Sequence, residues 1–150
     1  MKLAEALSRR ADLQKRIARL KERVANNVKV QEGDSPSEDP KAILHELETD
    51  LQELETLIYR INVTNLQTEK DGENLTRMIA RRDMLAMKVK VLGHVLDEAA
   101  SKQDRYSRNE IRYVTTIDVA ALQRETDTCA KELRELDVKI QGINWNVELM

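Results

Sequence analysis

No phenylalanine occurs in these 150 residues, and aromatic side chains of any kind make up only 3%. Glycine and proline are also scarce, at four and two, while charged residues reach 35%. Long helices or coiled coil fit that composition best. The single cysteine, Cys129, leaves no internal disulfide to be made. The opening M-K-L-A-E-A-L-S-R-R meets charge too early for the apolar region of a signal peptide, which points to a reducing, cytoplasmic home. No apolar run approaches the roughly 18 residues that a membrane span needs, so no membrane partner is expected. Lys and Arg together number 25 against 27 Asp and Glu, a net charge of −2. The chain as a whole therefore exerts no attraction on nucleic acid or an acidic membrane, and any such role needs a local patch.

What the chain does have is heptad-like spacing in four segments. Leu3, Ala6, Leu13, Ile17, Leu20 and Val24 form the first, broken only by Arg10 and stopped at Asn26-Asn27. Leu44, Leu47, Leu51, Leu54, Ile58 and Ile61 form the second, behind Pro40, where a proline suits a first helical turn. The third carries Leu75, Met78, Leu85, Val89, Leu92, Leu96 and Ala99, with Arg82 as its break. Beside it runs a second row, Ala80, Met84, Met87, Val91 and Val95, which predicts a helix covered on more than one side. Val119, Leu122, Cys129, Leu133, Leu136, Ile140 and Ile143 form the fourth, with Asp118 as a good N-cap. The reading is a mainly α single domain over 1–150: four long amphipathic helices as antiparallel hairpins in a coiled-coil-like bundle, with two short strands at one end.

The strands are placed in the connections. Val28 and Val30 alternate with polar neighbours, as do Ile111, Tyr113 and Thr115 within D-R-Y-S-R-N-E-I-R-Y-V-T-T-I-D. Helix, strand, helix then occurs twice, and L-E-T-L-I-Y-R-I-N-V-T-N near residue 60 resembles L-D-V-K-I-Q-G-I-N-W-N-V near residue 140. That symmetry predicts pairing of Val28–Glu32 with Glu110–Thr116, either within the chain or with a neighbouring copy. Asp71-Gly72 marks a turn that folds the second helix back on the third. Residues 1–27 hold eight basic and three acidic side chains, and residues 31–58 nine acidic and one basic, so the first two helices carry complementary charge.

Candidate chemistry is sparse. Folding about Asp71 sets His45 opposite His94, each with an acid three residues on, Glu48 and Asp97. The four are reasonable metal ligands in kind, but the spacing is not the E-x-x-H of di-iron bundles, and solvated or interhelical polar roles account for them. No metal or other cofactor is therefore expected. Arg10 and Arg82, in otherwise apolar rows, read as register devices and Cys129 as a small buried hydrophobe. Asn62, Asn65, Asn144 and Asn146 with Trp145 read as residues that cap helix ends and bury an aromatic edge. No Gly-rich phosphate loop, G-x-S-x-G or C-x-x-C is present, so the chain does not read as an enzyme. The basic face of the first helix (Arg9, Arg10, Lys15, Arg16, Arg19, Lys21, Arg23), or Tyr106, Arg108, Arg112 and Tyr113 in the 104–118 segment, supplies the alternative of a nucleic-acid or small-anion binder. The leading reading is a homo-oligomeric structural or interaction protein, with Val28, Val30 and the 104–118 segment as contact candidates.

Taken together, M-K-L-A-E-A-L…R-A-D-L-Q-K-R-I, V-Q-E-G…E-D-P, R-I-N-x-T-N, A-R-R-D-x-L, R-Y-S-R-N-E-I-R-Y-V-T-T-I-D-V-A-x-L-Q and K-E-L-R-E-L-D…I-Q-x-x-N-W resemble a family of small uncharacterised bacterial proteins, some of whose members are labelled septicolysin. The resemblance spans nearly the whole chain and brings no activity, substrate or catalytic residue with it. The label implies a cytolysin, whereas the chain has no apolar segment and no amphipathic stretch rich in aromatics.

Overall fold

The computed structural model describes residues 1–101 and 111–150. Among them are four helices, α1 (Leu3–Asn27), α2 (Pro40–Gln67), α3 (Leu75–Ala100) and α4 (Val119–Asn146), and two two-residue strands, β1 (Glu69–Lys70) and β2 (Glu73–Asn74). At 25 to 28 residues the helices are about 38 to 42 Å long. The residues group into two compact units, Met1–Thr76 with Gln141–Met150, and Arg77–Ile140.

Local chemistry sets the helix ends. The Lys2 N–H donates to the Glu5 carboxylate at 2.6 Å, satisfying a backbone donor before α1. At the other end Asn27 is buried: its amide donates to the Arg23 carbonyl (2.9 Å) and its oxygen accepts the Glu38 N–H (3.0 Å). One side chain thus ends α1 and ties down the far end of the loop that follows. Asp39 caps α2 by accepting the Lys41 N–H, with Pro40 in the first turn. Asp118 caps α4 by accepting the Ala121 N–H at 2.9 Å, as its sequence position predicts.

The expected turn at Asp71-Gly72 is present, and its two central residues both have positive φ, 56° and 79°. That is the backbone of a two-residue hairpin, and it pairs Glu69 with Asn74 and Lys70 with Glu73. These are the two strands among the described residues. Among the described residues the predicted pairing of Val28–Glu32 with Glu110–Thr116 is not made within the chain: Val28–Glu32 is an exposed loop, and Ile111–Thr116 has no strand partner there. Alternation alone marked both segments, and a strand exists only where a second edge completes its hydrogen bonds. The rest of the opening segment, 104–110, lies outside the described residues.

In the first unit α1 and α2 form an antiparallel hairpin. Leu3, Ala6, Leu13, Leu20 and Asn27 are buried on α1, and Ile43, Asp50, Leu57, Ile61 and Thr64 on α2. The α1 seam is the predicted one. The α2 seam sits one residue earlier than predicted, on Ile43, Asp50 and Leu57 instead of Leu44, Leu51 and Ile58. A heptad template follows apolarity and so passes over Asp50. The chain buries that aspartate because Arg16 meets it, with Arg16 Nε 2.9 Å from Asp50 Oδ2 at angles that make an ion pair and no hydrogen bond. Burial of each large core side chain here is worth about 2 kcal/mol.

The same unit gathers the two chain ends. Lys2 and Glu148 form an antiparallel bridge, Leu3 donates to the Val147 carbonyl (2.9 Å) and Leu149 to the Met1 carbonyl (2.8 Å). Arg60 of α2 donates to the carbonyls of Leu149 and Met150, and Thr64 Oγ1 accepts the Met150 N–H. The related ends of α2 and α4 therefore share a unit, and both bury an isoleucine there, Ile61 and Ile143.

The second unit pairs α3 with α4. Arg82 lies 3.7 Å from Asp137 and Lys88 2.8 Å from Glu125, so advancing along α3 means retreating along α4: the helices are antiparallel. Met78, Cys129, Leu136 and Ile140 are buried, while Leu85, Val89, Leu92, Leu96 and Leu133 are only half-buried.

Candidate functional site

The strongest polar construction is a ladder along the first hairpin. Arg9, Arg16 and Arg23 stand one heptad apart on α1. Arg9 meets Glu53 through two hydrogen bonds (2.7 and 2.9 Å), Arg16 meets Glu46 (2.8 Å) as well as Asp50, and Arg23 meets Glu38 through two more (3.2 and 2.5 Å) and Glu46 at 3.7 Å. The forked guanidinium suits such bidentate contacts. Hydrogen bonding to Arg9 holds the Glu53 carboxyl below its usual range, and Arg23 does the same to Glu38. Those carboxylates in turn raise the two arginines. Three of the seven cations proposed as a nucleic-acid face are thus neutralised within the hairpin. Complementary charge between the first two helices is realised as a register-setting ladder.

The second polar cluster joins the chain ends. Glu148 accepts from Lys2 at 2.7 Å and from the Met1 amine at 3.0 Å, and Lys2 first and the amine second hold its carboxyl low. In the second unit the Lys88 ammonium is raised, chiefly by its hydrogen bond to Glu125 and then by Cys129. Arg82, the break in the α3 row, is paired with Asp83 and Asp137, as a cation in an apolar row requires.

The remaining candidates are dispersed. His45 and Glu48 are exposed on α2 in the first unit, and His94 and Asp97 on α3 in the second. Among the described residues no three His, Cys, Asp or Glu side chains are placed to hold a metal ion. Val28 and Val30 are exposed in the α1–α2 loop, and Arg112 and Tyr113 are exposed ahead of α4. Tyr106 and Arg108 lie outside the described residues. Tyr113 helps line an open cleft of about 590 Å³ with Val95, Ala99, Val114 and Ile117; Ser101 beside it donates to the Glu98 carbonyl. Among the described residues these walls are largely apolar with scattered hydroxyls and one carboxylate, Glu98. Asn144 is buried, but the expected burial of an aromatic edge fails: Trp145 is 63% exposed. The helix geometry that turns Asn144 inward turns its neighbour out.

Two apolar rows are left uncovered. On α2, Leu44, Leu51 and Ile58 recur every seven residues and are 37–49% exposed, beside the half-buried Leu47 and Leu54. On α3, Met84, Met87 and Val91 are 55–59% exposed, and Val95 continues the row. The α3 row was legible as a second stripe. The α2 row was mistaken for the inner seam, and only the position of Asp50 separates the two lines.

The fold and surface define a class: an antiparallel helical-hairpin protein with paired polar ladders and uncovered apolar rows. The chain belongs to the family of unknown function DUF6847, which matches residues 10–149. A crystal structure of a functionally unknown conserved protein from Corynebacterium diphtheriae is similar over 100% of this chain and 99% of that one, with 44% identity and a TM-score of 0.93. No match was found among curated proteins. Neither description carries the septicolysin label, so the resemblance stands for an uncharacterised family and the label finds no support. No helix among the described residues is long and apolar enough to cross a membrane.

Proposed function

We propose that this protein is a non-enzymatic, cytoplasmic helical interaction module that works as a homo-oligomer. The observation that carries the reading is the exposed heptad line Leu44–Leu51–Ile58, on a helix whose other apolar line is already packed. Scattered surface leucines need no explanation, but a continuous row along some four turns of helix is the form of a helix-packing surface. The ladder supports the same reading from the other side: charges that could have met a ligand are committed to fixing the register of one hairpin. Interaction therefore falls to the apolar rows, in preference to the strand edges first considered. A second copy is the occupant that is always present at matching concentration.

The test is sedimentation of the intact chain beside a Leu44→Gln, Leu51→Gln, Ile58→Gln variant. The expected result is an oligomer that becomes a monomer of unchanged helicity in the variant. A wild-type chain that is monomeric throughout the micromolar range would overturn the reading.

A further inference from the structure

The uncovered rows differ in what borders them. The α2 line is rimmed on its solvent side by Glu48 and Glu55, both exposed, and α2 as a whole carries five acidic side chains against two basic. The α3 row is bordered by Arg81 and by Lys88, which also pairs with Glu125, with Arg77 and Lys90 close by, and α3 carries five basic side chains against three acidic. Asp83 borders the far side of that row and already accepts from Arg82; Asp97 and Glu98 lie near its end. Pairing α2 with α2 of another copy sets glutamates against glutamates, and pairing α3 with α3 sets cations against cations. Like charges across a packed rim disfavour both. α1 is basic, but among the described residues it exposes no large apolar side chain.

We infer that two copies pair reciprocally, the α2 row of each seated on the α3 row of the other. This rests on the self-association proposed above and names its surface. Two equivalent contacts related by a twofold axis close the assembly as a dimer, with no free row left to recruit a third copy. Leu51 is the centre of the α2 line and Val91 lies centrally in the α3 row. With Leu51 seated on Val91 and the helices antiparallel, Glu55 of the α2 rim comes beside Lys88 of the partner, a lysine that also meets Glu125 of its own chain. The Met84 and Met87 side chains suit such a surface, since unbranched thioethers adapt to a neighbouring row of leucines.

The experiment is disulfide trapping in the full chain with Cys129→Ala as background. Leu51→Cys and Val91→Cys are introduced singly and together, each variant first checked for native helicity and mass. The expected result is a reductant-sensitive covalent dimer from the double variant and from an equimolar mixture of the two single variants, but from neither single variant alone. Glu48→Lys with Glu55→Lys, without the cysteines, is expected to weaken the dimer by at least about ten-fold. A disulfide formed within one chain would overturn the inference, because the rows would then cover each other intramolecularly. A covalent dimer from Leu51→Cys alone, or a native dimer that traps in no combination, would overturn the reciprocal pairing while leaving self-association standing. A monomeric native mass overturns both.

Discussion

The two units of this chain solve the same packing problem to different depths. Both are antiparallel helix pairs, yet the first carries fully buried Ala6, Leu13 and Leu20 at seven-residue intervals and a ladder of forked arginine–carboxylate contacts. In the second, Met78 and Ile140 reach that depth near one end of the helices, while Leu85, Val89, Leu92 and Leu96 remain half-buried and a whole methionine–valine row stays uncovered. The difference teaches where stability and interaction reside. The first unit is specified by its own sequence. The second has apolar surface in excess of what its own two helices can cover, and the outer line of α2 is the corresponding excess in the first.

The largest expected effect that would break this comparison comes from core truncation. Leu13→Ala or Leu57→Ala should cost about 2–5 kcal/mol in chemical denaturation, since the site is closed on both sides. Met87→Ala should cost under about 1 kcal/mol in the monomer while weakening assembly; an equal loss at both sites would erase the distinction between the units. Next comes the buried aspartate. Arg16→Met leaves Asp50 without its ion pair and should cost about 1–3 kcal/mol, whereas Arg16→Met with Asp50→Leu should recover most of that loss. If the double variant is no better than the single, Asp50 has a role other than pairing. In the second unit Asp118→Ala removes the α4 cap and should cost about 1 kcal/mol.

The smallest effects are in pH, and they have opposite signs in the two units. Glu38, Glu53 and Glu148 of the first unit have carboxyls held below the ordinary value of 4.5. Their contribution is therefore present above pH 4.5 and lost as pH falls through the lowered values. Lys88 of the second unit is raised above 10.5, so its contribution is present below pH 10.5 and lost as pH rises beyond its folded value. Amide exchange should show acid loosening the first hairpin and alkali loosening the second, each by a modest amount because all four groups are exposed to solvent. Glu38→Gln with Glu53→Gln should flatten the acid arm of that profile.

How much of this was legible in the sequence follows from which signals are local. Helix number, the Asp118 cap and the Asp71-Gly72 turn come from spacing within one segment, and the chain follows them; the second row on α3 also comes from spacing, but the covering expected for it is absent, with Met84, Met87 and Val91 exposed. The inner line of α2 was misplaced by one residue because its central member is an aspartate, and an aspartate belongs in a seam only when a cation from another helix meets it. The strands were misplaced for a related reason. Val28 and Val30, like Ile111 and Tyr113, have strand character without a partner edge, and no single segment reports whether one exists. The ladder was half legible: the charge contrast between the first two helices was evident, but the seven-residue spacing of Arg9, Arg16 and Arg23 against Glu53, Glu46 and Glu38 emerges only once the register is fixed.

The central claim is that the apolar rows of α2 and α3 are covered by a second copy. Light-scattering mass of the intact, unmodified chain at tens of micromolar tests it most directly. The account predicts a mass twice that of the 17.3 kDa chain. A mass of 17.3 kDa at every concentration would contradict it.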